Sequence, residues 1–120
     1  MAFPFENLEV YKQSIAFVSE IQSLVERVGH QMNRSINDQL SRASLSIPLN
    51  IAESNGRWHK AEKRNYFWIA RGSCFECVPI IEILKIKGYI TAEEREELRS
   101  RLESIGKMLT RLVQAHTDAN

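Results

Sequence analysis

From Arg42 to Arg57 the chain reads Arg-Ala-Ser-Leu-Ser-Ile-Pro-Leu-Asn-Ile-Ala-Glu-Ser-Asn-Gly-Arg. Ala43, Ile47 and Ile51 recur at the spacing of a helix that buries one face. Leu45, Leu49 and Ala52 fall nearly opposite them. Two apolar faces on one helix call for one contact inside the chain and another with a neighbour, so Leu45, Leu49 and Ala52 are candidate oligomer-interface residues. Arg42, Ser46, Asn50 and Glu53 are spaced four, four and three apart and share a side next to the apolar stripe. Polar groups there form either a network that fixes helix register or a ligand site, because buried polar groups need partners. Pro48 denies the Ser44 carbonyl its helical donor and is expected to kink the helix.

Outward from this segment the helical period continues, and β-type alternation is absent. The second helix extends from about Ser35 to Asn55, with Ile36 and Leu40 joining its buried stripe. A first helix is expected from Leu8 to Val28, with Leu8, Tyr11, Ile15, Val18, Ile21, Val25 and Val28 as its stripe, Asn7 as N-cap and Gly29 as stop. A third covers Lys60 to Lys87 and is apolar on most sides, with Pro79 inside it and Gly88 closing it. Thr91-Ala-Glu-Glu94 is a capping box that opens a fourth helix. Leu98, Leu102, Ile105, Leu109 and Leu112 follow at bundle-seam spacing. Four helices with short links predict an all-α, antiparallel up-and-down four-helix bundle, a single domain over residues 1–120.

The 120 residues are 43% hydrophobic and 26% charged, with a net charge of +1. Residues 31–90 carry +4, against −2 before them and −1 after, so a local basic surface fits and a strongly basic protein does not. No signal peptide or membrane-length apolar run is evident, which makes a soluble cytoplasmic protein the default.

Catalysis finds no foothold in this pattern, and no small-molecule substrate, cofactor or metal is indicated. Cys74 and Cys77 match C-x-x-C, but in mid-helix rather than at a helix start, and read as buried structural thiols. His30, His59 and His116 are scattered, and none follows a Glu by three residues as a di-iron bundle requires. Gly72 and Ser73 permit close approach of another backbone. Glu76 lies with Ile69, Ile80 and Ile83 on one helix side and is expected to pair with Arg42. The polar network therefore comprises Arg42, Ser46, Asn50, Glu53, Ser73 and Glu76.

Arg57, Trp58, His59, Lys60, Lys63 and Arg64 form the one dense basic-aromatic cluster. Arg71 shares a helix side with Lys60 and Arg64. The basic groups can neutralise phosphates and Trp58 can stack on a base, so Arg57, Trp58, Lys60, Lys63, Arg64 and Arg71 are candidate nucleic-acid contacts. The rival reading places Trp58 in a subunit contact.

Three patterns run nearly the length of the chain: Phe5-x-x-Leu8-x-Val10-Tyr11; Gln39-x-x-Arg42-Ala43-x-x-Ser46-Ile47-Pro48-x-Asn50-Ile51-Ala52-Glu53 with Gly56-Arg57; and Ala70-x-Gly72-Ser73-x-x-Glu76. Together they resemble the 23S ribosomal RNA intervening-sequence protein family, itself related to the accessory protein of diversity-generating retroelements. The resemblance implies an antiparallel four-helix bundle that assembles as a homopentamer around a central channel. The basic cluster makes RNA or a nucleoprotein the expected partner, and the alternative is a structural protein-interaction module without nucleic-acid binding. Ser54-Asn55-Gly56 departs from the family's usual glycine directly after Glu53, which implies an altered turn.

Overall fold

A computed structural model of the protein describes residues 3–117. Four helices follow in order: α1 (Glu9–Val28), α2 (Arg34–Asn55), α3 (Lys60–Ile86) and α4 (Ala92–Ala115), with short 3-10 turns at Pro4–Asn7 and Gly29–Gln31. No strand occurs among the described residues. α3 packs most extensively against α2 and α4, and α1 closes the ring between those two. The result is the expected all-α four-helix bundle.

Local chemistry sets the ends of the helices. The Asn33 side chain accepts from the Ser35 backbone N–H at 2.7 Å and starts α2. After α3 the chain turns at Gly88, whose φ of +79° suits glycine. The Gly88 N–H donates to the Lys85 carbonyl at 3.0 Å and the Tyr89 N–H to the Leu84 carbonyl at 2.9 Å, which is a Schellman closure. Thr91 and Glu94 form the capping box, each side chain accepting from the other's backbone N–H at 3.0 Å.

The first helix departs from its expected details. Asn7 does not cap it: Pro4 starts a 3-10 turn that absorbs Asn7, and Leu8 stands at the cap position in extended conformation. Gly29 keeps right-handed dihedrals and passes the chain into a second 3-10 turn. Its glycine answers crowding, since a Cβ would lie 3.1 Å from Val25 Cγ1 and 3.2 Å from Asn37 Nδ2. The buried stripe is also rotated from the expected one. Val10, Ser14, Phe17, Ile21, Leu24 and Val28 point inward, while Ile15 is 43% exposed. The apolar arc of α1 is wide, and the bulky Phe17 and Leu24 take its centre while Tyr11 and Val25 pack at its margin.

The core itself is mostly aliphatic. Phe17, Ile21, Leu40, Ile47, Ile51, Ile81, Leu84, Leu102, Ile105 and Leu109 are fully buried, each contributing roughly 1.5–3 kcal/mol by leaving water. Leu112, expected on the same seam, is only partly buried. Ser14, Ser44 and Ser54 are tolerated inside because each hydroxyl donates to the carbonyl three residues back in its own helix, at 2.7, 3.1 and 2.8 Å. Pro48 is buried and Pro79 exposed, and each helix runs unbroken through its proline.

Candidate interaction surfaces

The polar seam between α2 and α3 is narrower than the sequence predicts. At its centre the Ser73 hydroxyl donates to Ser46 Oγ at 2.8 Å, and Asn50 Nδ2 donates to Ser46 Oγ at 2.9 Å and to the Ser46 carbonyl at 2.8 Å. The two helices approach closely here because serines face each other. Arg42 and Glu76 are both exposed, and no ion pair joins them among the described residues. Glu76 needs no buried cation because its neighbours Ile69 and Ile83 are themselves exposed. Glu53 turns along its own helix and pairs with Arg57 at 2.7 Å.

Outside this seam the bundle leaves apolar groups uncovered. Leu45 and Leu49 are 44% and 55% exposed on α2, with Ala52 half-buried beside them. On α3, Trp68, Ile69, Phe75, Ile83 and Ile86 are exposed. Gly72 lies within this strip, and a Cβ there would meet nothing within 4 Å. The close approach expected at Gly72 is therefore not made by this chain's own described residues.

The basic-aromatic cluster occupies the turn from α2 into α3. Trp58 is 94% exposed, and His59 and Lys60 beside it are exposed too. Lys63 and Arg64 follow on the first turns of α3, half-buried. Arg57 is not free: its guanidinium donates to Glu53 at 2.7 Å and to the Tyr66 hydroxyl at 2.9 Å. The hydrogen bond to the Glu53 carboxylate raises its pKa above the ordinary arginine value. Arg71 belongs to another neighbourhood. Its Nε donates to Thr110 Oγ1 at 2.8 Å, and its guanidinium lies over the Trp68 ring at 5.1 Å and the Phe75 ring at 4.4 Å.

Beside Arg71 are three cations that sequence reasoning left aside: Arg99, Lys107 and Arg111 of α4. With Glu103 they recur every four residues, a period readable as one helix edge. Their meeting with Arg71 depends on how α3 and α4 pair, which spacing along α4 does not reveal.

Both cysteines are buried and free. Cys74 Sγ donates to the Leu102 carbonyl at 3.1 Å. Burial pushes each thiol up to about 12, which keeps it protonated and unreactive at neutral pH. Among the described residues no three His, Cys, Asp or Glu side chains are grouped to hold a metal ion. Nor, among the described residues, is any helix long and apolar enough to cross a membrane.

Residues 6–111 match the model of the family described as 23S rRNA-intervening sequence protein. The chain belongs to that family. A solved structure from Bacteroides thetaiotaomicron, described as a protein with unknown function from the S23 ribosomal protein family, is similar as well. Its TM-score is 0.81 at 28% identity, over 87% of this chain and 97% of its own. No match was found among curated proteins. In this member of the 23S rRNA-intervening sequence protein family, α2 continues through the buried Ser54 and turns only at Gly56.

Proposed function

We propose that the protein is a non-enzymatic scaffold that assembles with copies of itself and presents a basic-aromatic end to RNA. The observation that carries this reading is the uncovered apolar strip formed by Leu45 and Leu49 of α2 with Ile69, Gly72 and Ile83 of α3. A helix apolar on nearly all sides belongs in an interior, and the second interior here is supplied by another copy. Arg42 and Glu76, exposed on the same side, give that contact a cation and an anion to pair across it. The family resemblance supports five copies. Trp58, with Lys60, Lys63 and Arg64, supports RNA as the partner at the end of each bundle. Light scattering on the purified protein tests the assembly: a mass of five chains is expected, and a single-chain mass overturns the scaffold. A second reading, assembly without nucleic acid, is favoured by the commitment of Arg57 to Glu53 and Tyr66.

A further inference from the structure

The flank of α3 turned away from α2 forms a groove with α4, enclosing a cavity of about 610 Å³. That is within the range of small-molecule sites. Its apolar floor comes from Phe75, Val78 and Pro79 of α3 and Leu102 and Gly106 of α4, above the buried Cys74. Its rim carries Arg71, Arg99, Lys107 and Arg111, against Glu103 as the one lining carboxylate. None of the four cations has an ion-pair partner among the described residues, whereas Arg27, Arg57, Arg95 and Arg101 all do.

Two details show a site more specific than a greasy cleft with charges nearby. Arg71 is held in place before any ligand arrives: its Nε is bonded to Thr110, and its plane rests against Phe75. Its two Nη groups remain available for an anion, in the fork geometry that suits a carboxylate. The second detail is Gly106. A glycine inside a helix is disfavoured relative to alanine, yet the fold does not need one here. A Cβ at 106 would lie 3.8 Å from Cys74 Sγ and 3.9 Å from Phe75 Cε1, both ordinary contacts. What the glycine does provide is depth in the groove floor.

We propose that this groove binds a small amphipathic carboxylate, its apolar body over Gly106 between Phe75 and Leu102 and its acid head on Arg71. None of the residues assigned above to assembly, Leu45, Leu49, Ile69, Gly72 and Ile83, lines the groove. This proposal stands independently of RNA binding.

Calorimetric titration of the intact assembly with dodecanoate, and with dodecyltrimethylammonium as the same tail bearing a cation, tests it below micelle-forming concentrations. Dodecanoate is expected to saturate at one molecule per chain, and the cation to show no saturable binding. Arg71→Gln should weaken dodecanoate about tenfold or more through loss of a charge-assisted hydrogen bond, and Gly106→Leu should abolish binding by filling the floor. Gly106→Ala, which meets only ordinary contacts, checks that helix content and melting survive substitution at this position. Equal binding of both detergents overturns the proposal, as does a dodecanoate titration unchanged by Gly106→Leu. A changed assembly mass in Gly106→Leu also overturns it, because the groove would then be covered by another copy.

Discussion

Glu94 joins two jobs at the start of α4: its carboxylate accepts from the Thr91 backbone N–H and from Arg27 of α1. The backbone hydrogen bond, more than the arginine, holds its pKa below the ordinary carboxylate value. A carboxyl lowered on folding adds stability that is fully present above its unfolded value and lost as pH falls through its folded one. Glu20 works in the opposite sense, since burial, the largest influence on it, raises its pKa and favours the protonated form in the fold. Thr91→Ala is therefore expected to lower unfolding stability by about 1 kcal/mol in urea melts, and Glu94→Gln to flatten the loss of stability toward acid. An unchanged acid limb in Glu94→Gln would remove Glu94 from the account. These caps were legible in the sequence because they depend on residues three apart. Asn7 misled because Pro4 set up a competing turn just upstream.

At the scale of elements, the contact between α2 and α3 turns on Ser46, which accepts from both Ser73 and Asn50. Both donors have a second acceptor: Ser73 reaches the Ile69 carbonyl at 3.2 Å and Asn50 the Ser46 carbonyl at 2.8 Å. Ser46→Ala should accordingly cost only about 1 kcal/mol in denaturant midpoint analysis, without a change in m-value. A loss several times larger would mean that the seam acts as one cooperative unit. The spacing of Arg42, Ser46, Asn50 and Glu53 predicts that they share one side of α2. It does not say how far that side is turned toward α3, so Ser46 and Asn50 reach the seam while the expected Arg42–Glu76 ion pair does not form. The same uncertainty of rotation displaced the buried stripe of α1 from Ile15 to Phe17 and Leu24.

For the whole molecule, near-zero net charge hides a segregated surface. Trp58, Lys60, Lys63 and Arg64 lie at one end of the bundle, while Arg71, Arg99, Lys107 and Arg111 edge the groove along its side. Replacing Lys60, Lys63 and Arg64 together with alanine should abolish most RNA retention on filters. If all three meet phosphates, the slope of log affinity against log salt should fall by roughly 2 for a single strand. Retention unaffected by these changes would leave assembly alone as the function. Assembly has its own test, since Leu45→Asp with Leu49→Asp should reduce the light-scattering mass toward one chain while helix content stays the same. The four-helix plan was legible because stripes, caps and short links agreed. The groove was not, because it depends on Arg71 meeting residues 28 to 40 positions further along the chain.

The alternating directions of the helices also sort the loops by end. The Trp58 turn shares its end of the bundle with Pro4 and with His116, whose ring packs 5.2 Å from that of Phe67 near the start of α3. The links at Gly29–Asn33 and Lys87–Thr91 lie at the opposite end, along a body whose long axis is 49 Å. A bulky label attached near Pro4 or His116 therefore crowds the surface proposed for RNA, and can mask or mimic a binding defect. A dye on a cysteine introduced at the exposed His30 or Gln31 sits at the quiet end, where it reports tumbling and assembly without touching Trp58.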